Sequence, residues 1–546
     1  MGLAKARKLN PRQLASDVVA KLNVSEWCEA VDIAGAGFLN FRLKAAAVSD
    51  SLQRAARGDR LFFEPSSHPR NIVIDFSSPN VAKPMHVGHI RSTILGDSLA
   101  RMLRLLGHHV ITDNHIGDWG TQFGMLLVGW KSLVDKSRLQ ADPLAELERI
   151  YKAISGKCDP EKPGFDQGTL DSARSELVKL QSGDPENLSI WREMIRLSQV
   201  QFDLIYRRLG IKFDETLGES FYNARLKGIV EGLMSRGVAS ESRGAKAVLS
   251  DTKSPPKDDP FLIHKDGEWV ANPFIIQKQD GGFNYATTDL ATLAHRLETW
   301  HAEEIIYVTD GRQQLHFRQL FAAFRRWHPE AKVKLAHVWF GSILGEDGKP
   351  FKTRSGETIR LSDLLDEAEE RAFRLVSEKS PELSEEQRRE IAQVVGIGAV
   401  KYADLLPNRQ SDYVFSWDKL LALNGNTAPY LQYAYARIRS IFRKGNVLEI
   451  NPTANVVLNA PQELILGKHL LNFGLVLEGA AEEYRPNFIC NYLFELAGHF
   501  MRFFENCPVL KAEEPLRSSR LLLCDLTARV LKQGLNVLGI ETLEQM

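Results

Sequence analysis

A parallel α/β domain of nucleotide-binding type, split by a long insert, preceded by a small α/β domain and followed by an all-helical one, is the architecture this sequence predicts. Three observations predict it. Ile72, Val73, Ile74 and Phe76 form the short apolar run of a strand buried on both faces, and the loop after them carries Pro79 and Pro84 and opens into helical periodicity. The same alternation of strand and helix returns over residues 283–340. Beyond residue 360 the apolar spacing is helical almost throughout, with no convincing strand pair. A chain of 546 residues exceeds one hydrophobic core. We therefore expect domains at 1–66, at 67–410 with the insert at about 128–280, and at 411–546.

Composition narrows the partners. The 69 basic residues are balanced by 69 acidic ones, so a nucleic acid would have to meet a local basic face. The five cysteines, Cys28, Cys158, Cys490, Cys507 and Cys524, show no paired spacing, which argues against a disulfide framework or a zinc knuckle and for a reducing compartment. The basic N-terminus has no apolar core and no run of eighteen apolar residues occurs, so neither export nor membrane spanning is expected and the cytoplasm is the predicted location.

Taken in order, residues 11–22 have helical periodicity and 31–43 read as a turn and strand. The 75–89 stretch follows the first buried strand. Pro84 suits a first helical turn, which puts the helix start near Met85, and the periodicity continues over 90–106 until Gly107 stops it. A strand at 109–112 completes a βαβ unit, and Asn114 to Gly120 then lie at its carboxyl end, where parallel sheets bind ligands. Within the insert a helix at about 188–209 carries Trp191, Ile195, Phe202 and Ile205 on one face. The sheet pattern resumes with a loop and helix at 283–298, a strand at 304–309, a helix at 316–327 and a strand at 334–340. The 341–356 segment combines glycines with Lys349, Lys352 and Arg354, which suits a mobile cationic loop over a triphosphate and equally suits a solvated hairpin. One C-terminal helix interleaves Tyr430, Tyr433 and Tyr435 with Arg437, Arg439, Arg443 and Lys444; such a helix can track RNA or simply bury its tyrosines under a solvated face.

The 75–89 stretch carries the chemistry. Free N–H groups and the positive dipole end of a helix starting there favour an anion, most simply a phosphate. His86 and His89, three apart, share one face, and Gly88 between them would let a flat group such as a purine approach the backbone. A metal pair is the alternative for the two histidines, with no cysteine or glutamate pattern nearby to complete a zinc site.

The motifs together resemble the class I aminoacyl-tRNA synthetases, and among them the arginyl-tRNA synthetase family. Residues 77–93, from Ser77-Ser78-Pro79-Asn80 to His86-Val87-Gly88-His89-Ile90-Arg91-Ser92-Thr93, look like the family's HIGH motif. Gly117-Asp118-Trp119-Gly120, Gly218-Glu219-Ser220-Phe221-Tyr222, the 281–289 stretch ending Thr288-Asp289, and Gly425-Asn426-Thr427-Ala428-Pro429-Tyr430 look like further family signatures, in the family's order. Two departures stand out. The similarity at Met1 starts partway through the family's N-terminal domain, and the cationic loop lacks the KMSKS pattern of most class I enzymes.

The resemblance implies a Rossmann-type catalytic domain with an inserted α+β subdomain, a tRNA-contacting N-terminal domain and a helical anticodon-binding domain. It implies a ligase that uses ATP with Mg²⁺ and no zinc to activate L-arginine and charge tRNA(Arg), working as a monomer. His86, His89 and Lys83 would be catalytic, with Lys83 standing in for the missing lysine of the loop. ATP would meet Gly88, His86, His89, Lys349, Lys352 and Arg354. Asp75 and Asp289 would hold the guanidinium with Tyr285 beside it, and Ser78, Asn80 and Gln313 the α-amino and carboxylate end. On their own, Asp289 and Tyr285 read more readily as a helix cap and a packing tyrosine. Tyr430, Tyr433 and Arg437 would touch tRNA, and the insert would meet its acceptor end without an editing site. Two other readings stay open at this level: an RNA-binding paralogue without ligase activity, and a small-molecule nucleotidyltransferase sharing the histidine helix.

Overall fold

The computed structural model describes residues 2–58, 60–351 and 358–546. A helix at Pro11–Val19 and an antiparallel hairpin of β1 (Cys28–Ala34) and β2 (Phe38–Leu43) form the first unit. Gly35 and Gly37 make its turn, both at positive φ, where a side chain would be strained. The helix Ala45–Arg57 leads out and seats Val48 and Leu52 against Gly467 of the C-terminal domain, where a Cβ would stand 2.9 Å from Leu52.

The central sheet has four parallel strands. β3 (Asn71–Asp75) pairs with β4 (His109–Asp113) on one side and, on the other, with β10 (Glu304–Tyr307), which carries β11 (Lys334–His337) beyond it. The first half winds outward through β4 and the second through β11, so the order reverses between β3 and β10. Ligands of open α/β sheets bind at such a reversal, outside the carboxyl strand ends. Register sets Asp113, Asp75, Tyr307 and His337 in one row at that end.

The helix after β3 spans Val87–Leu105, so the expected start near Met85 was two residues early. His86 is extended (φ −125°, ψ 171°) and its own side chain caps the helix, which leaves Pro84 outside. This helix crosses the sheet closely because Gly96 faces Phe76; a Cβ there would lie 2.1 Å from the ring.

Between β4 and β10 the insert forms helices at Gln122–Leu133, Lys136–Ala141, Pro143–Cys158, Gln167–Gln181 and Pro185–Arg208. Asp135, Asp142, Asp166 and Asp184 each cap the helix that follows, and Pro143 and Pro185 sit in first turns, the local chemistry that starts helices here. Next come β5 (Ser240–Ser242), β6 (Ala245–Val248), the hairpin of β7 (Leu262–Lys265) and β8 (Glu268–Ala271), and β9 (Phe274–Gln277), with β5, β6 and β9 forming one small sheet. The helix Tyr285–Trp300 returns the chain to the four-stranded sheet.

Among the described residues the C-terminal half is helical, with one exception to the expected absence of strands. β12 (Ile343–Leu344) and β13 (Tyr413–Val414) pair in parallel over two residues, too short a run for any periodicity to betray. Helices at Leu361–Lys379, Glu385–Leu405, Ala428–Lys444, Asn487–Asn506 and Leu516–Val537 follow. The stretch Pro461–Glu482 is apolar and long enough for a membrane span by composition, but it is two helices meeting at Asn472, with Leu466, Leu470, Phe473 and Leu477 fully buried in the protein. The Val87–Leu105 helix packs on both Glu385–Leu405 and Leu516–Val537, and Ser98 Oγ donates to the Val537 carbonyl at 2.9 Å. Residues of the parallel α/β domain and of the C-terminal helices thus share one core. All five cysteines are free and buried, as packing residues are.

Candidate active site

The loop after β3 is strained and heavily held. Ser77 and Ser78 are consecutive residues in the left-handed region (φ 72° and 48°), a conformation that costs each of them about 1 kcal/mol or more. Their amides are satisfied by Ser92 Oγ at 2.9 Å and Asn114 Oδ1 at 3.1 Å. The turn redirects the chain so that exposed Asn80 lies over Gly117, where a Cβ would meet its Oδ1 at 2.3 Å. That contact explains the glycine of the 117–120 motif.

His86 Nδ1 accepts from the Gly88 amide at 3.0 Å, and His89 Nδ1 accepts from the His86 amide at 3.1 Å. With both Nδ1 atoms acting as acceptors, each neutral ring carries its proton on Nε2. Burial holds His89 at about 3, with His86 adding to the effect, and His86 is lowered by burial and by the charges of Lys83 and Arg312. The result is a pair of neutral Nε2–H donors at a helix start, flanked by two cations. Gly88 is exposed, and a Cβ on it would come within 2.8 Å of the His86 ring, so the capping geometry itself demands glycine. Lys83 Nζ stands 4.9 Å from the centre of the Tyr151 ring. Lys349 is exposed in a turn, its amide bonded to Asp347 Oδ1 at 3.1 Å; Lys352 and Arg354 lie outside the described residues.

A second cluster is negative in sign and gathers Glu219, Asp118 and Asp289. Glu219 begins a 3₁₀ turn, Glu219–Arg225, and burial pushes its carboxyl up to about 7, with His115 lowering it and Asp289 and Asp118 raising it further. Asp118 is spoken for, accepting from the Ser220 amide at 2.8 Å and its hydroxyl at 2.6 Å. Asp289 Oδ2 is 2.6 Å from His316 Nε2. Neither simple reading of Tyr285 and Asp289 survives: Asn284 caps their helix, and Tyr285 is 62% exposed. Trp119, Glu219, Asn223, Tyr285 and Thr288 line a cleft of about 310 Å³. Gln313 is exposed in the turn after β10, at the same sheet end.

Asp75 is where the geometry departs most from expectation. It is 5% exposed; its Oδ2 lies 2.6 Å from Arg296 Nη2, and its Oδ1 accepts from Ser78 Oγ at 3.0 Å. The guanidinium it holds is the chain's own. Glu219 and Arg296 were missed by sequence reasoning, Arg296 because a lone arginine inside an amphipathic helix reads as surface. The signal for Glu219 was its place as the acidic member of the Gly218-Glu219-Ser220-Phe221-Tyr222 signature.

On the helix Ala428–Lys444, Tyr433 is 42% exposed, Tyr430 packs on Phe494, and Arg437 lies over the Phe504 ring at 5.0 Å. Tyr433 and Arg437, four apart, share a face. No cluster of three or more His, Cys, Asp or Glu placed to hold a metal ion occurs among the described residues.

Comparison with known proteins agrees with this geometry. A family model described as "tRNA synthetases class I (R), catalytic domain" matches residues 52–417, one described as "DALR anticodon binding domain" matches 431–546, and one described as "Arginyl tRNA synthetase N terminal domain" matches 1–43. The chain is 48% identical to the arginine–tRNA ligase of Trichodesmium erythraeum and 46% identical to that of Hahella chejuensis, in both cases over 100% of this chain and 92% of the relative. Among solved structures, arginyl-tRNA synthetase of Plasmodium falciparum superposes with a TM-score of 0.81 at 29% identity, covering 100% of this chain and 90% of that one. That of Thermus thermophilus superposes with a TM-score of 0.82 at 25% identity, covering 100% and 93%. The chain belongs to the arginyl-tRNA synthetase family of class I aminoacyl-tRNA synthetases.

Proposed function

We propose that the cleft at the β3–β10 reversal activates L-arginine with ATP, forming arginyl-adenylate and pyrophosphate, and then passes the arginyl group to the terminal ribose of tRNA(Arg). The observation that carries this reading is the pairing of two subsites of opposite character. Neutral Nε2–H donors with Lys83 and Arg312 suit a triphosphate, and Glu219 and Asp289 beside an exposed tyrosine suit a guanidinium. Neither step needs a protein nucleophile. The arginine carboxylate attacks the α-phosphorus and pyrophosphate leaves, so the protein aligns the reactants and stabilises charge developing on phosphate oxygens.

In this reading His86, His89 and Lys83 serve the phosphates, Gly88 leaves the adenine room, and Mg²⁺ enters with ATP. Lys349, with Lys352 and Arg354, approaches from the 341–356 loop. A guanidinium is a planar fork of five donors that carboxylates match in bidentate fashion, and lysine cannot reproduce it. Asp289 and Glu219 supply the carboxylates and Tyr285 the ring; Ser78, Asn80 and Gln313 take the α-amino and carboxylate end. Asp75, already paired with Arg296, acts through Ser78 as a positioning residue. Tyr430, Tyr433 and Arg437 meet the tRNA, the insert meets its acceptor end, and the enzyme works as a cytoplasmic monomer.

Charging total tRNA with each amino acid in turn tests the reading: arginine alone should be attached. Pyrophosphate exchange should also depend on added tRNA. Charging with another amino acid, or binding of RNA with no charging at all, would refute it.

A further inference from the structure

Arg91 lies in the helix that starts after His86 and is 1% exposed. Its Nη1 donates to the carbonyl of Gly341 at 2.7 Å and to that of Ser411 at 3.2 Å. Its Nε is 3.0 Å from Asp404 Oδ1, and its guanidinium sits between the rings of Phe340 and Tyr413, at 5.6 and 5.1 Å. These partners are the base of the cationic excursion. The chain leaves the sheet at Gly341, where a Cβ would stand 2.6 Å from Asp412 Oδ1 and 2.7 Å from the Ser411 carbonyl carbon, and Ser342 bonds Asp412 Oδ1 at 2.6 Å.

The excursion comes back to the same helix. Val87 donates to the Ile359 carbonyl at 3.0 Å and Leu361 to that of Met85 at 2.9 Å, on either side of His86. Departure and return are therefore both fixed to one short stretch, the departure by a side chain and the return by backbone. The Arg91–Asp404 ion pair is fully buried, and its Nε–Oδ1 contact at 3.0 Å is not aligned as a hydrogen bond. Buried pairs of this kind contribute little net stability over an apolar pair. What this one supplies is a fixed position.

Asp404 belongs to the Glu385–Leu405 helix, which also contacts the tyrosine-bearing helix Ala428–Lys444. Gln432, flanked in sequence by Tyr430 and Tyr433, donates to the Val394 carbonyl of that helix at 3.3 Å. A movement of the tyrosine-bearing helix thus has a rigid element through which to reach Arg91.

We propose that Arg91 is the positioning residue that fixes the base of the cationic excursion, Gly341 and Ser342, relative to the helix of the histidine pair, and that Asp404 makes this setting answer to the tyrosine-bearing helix. The proposal rests on the placement of ATP at His86 and His89 given above. An arginine fits the task because its fork reaches two carbonyls and a carboxylate at once, which a lysine ammonium cannot.

Two variants test it. Arg91→Met with Asp404→Leu removes both charges and leaves neither uncompensated; Gly341→Ala moves the base of the excursion, including the carbonyl that Arg91 holds, and removes neither buried charge. Each is measured by thermal midpoint, by KM for ATP and for arginine, and by the effect of tRNA on pyrophosphate exchange. We expect folded proteins whose KM for ATP rises about tenfold or more, with the KM for arginine within about twofold, and, in the double variant, a weakened tRNA effect. Unchanged KM for ATP in either folded variant, or an equal rise for arginine, would overturn the positioning role. An undiminished tRNA effect in the double variant would overturn the role of Asp404. Should the double variant not fold, Gly341→Ala decides the positioning role, and Gln432→Ala, expected to weaken the tRNA effect, decides the link to the tyrosine-bearing helix. His86→Ala is the control: if it too leaves the KM for ATP unchanged, the placement of ATP has failed, and not the coupling alone.

Discussion

Arg296 Nη2 lies 2.6 Å from Asp75 and 2.7 Å from Asp113, at the carboxyl ends of adjacent strands, and all three side chains are buried. Parallel pairing puts the two carboxylates side by side, where they would repel each other without a cation between them. The Tyr285–Trp300 helix delivers that cation. Its tension is visible: Arg296 Nε and Nη1 find no partner, and the guanidinium lies 5.2 Å from the Tyr307 ring.

Arg296→Met should therefore destabilise the catalytic domain by about 3–5 kcal/mol, because two carboxylates would remain buried without compensation. Urea unfolding followed by intrinsic fluorescence reads this as an earlier first transition. A midpoint at the wild-type value would mean that the triad holds nothing together.

Asp289→Asn should raise the KM for arginine about 100-fold, the cost of leaving a charged, desolvated donor without its carboxylate, and leave the KM for ATP nearly unchanged. Steady-state charging with each substrate varied in turn measures both. An unaltered KM for arginine removes Asp289 from the guanidinium site.

Glu219 gives the site a pH dependence. Its carboxyl is raised to about 7, so in the free enzyme it is protonated below that pH, and a guanidinium needs it ionised. The kcat/KM for arginine should rise with pH through about 7 and level off above it. In Glu219→Gln the value should be lower throughout and that rise should vanish. His89, held at about 3, contributes no step near neutrality, so a rise that survives in Glu219→Gln would have to come from another group.

His86→Ala and Lys83→Ala should each slow single-turnover adenylate formation by about 100- to 1000-fold, the usual loss on removing one preorganised donor to a developing phosphate charge. Rapid quench with saturating tRNA measures the step. For Lys83→Ala, a rate within about threefold of wild type would end its role as the substitute for a loop lysine.

Local pattern carried much of this protein in its sequence. The buried run at Ile72 to Ile74, the strand–helix alternation of both sheet halves and the amphipathic helices after residue 360 were legible because burial imposes a period on neighbouring residues. The motifs carried the family, down to the histidine pair. Element ends were less legible: the helix begins at Val87 because the His86 ring caps it, and Pro84 was the more familiar signal.

Tertiary structure alone decided what the site residues face. Asp75 and Arg296 are 221 positions apart in the chain, and no spacing rule could show that a carboxylate expected to hold substrate arginine is already matched to an arginine of its own. The same holds for Glu219, whose raised carboxyl follows from burial beside Asp289 and Asp118, and for Arg91, whose carbonyl and carboxylate partners come from residues 341, 411 and 404. Sequence fixes which groups are present and how near neighbours are spaced along a strand or helix. Charge acts through space and burial, so which group neutralises which is settled only when distant segments are packed together.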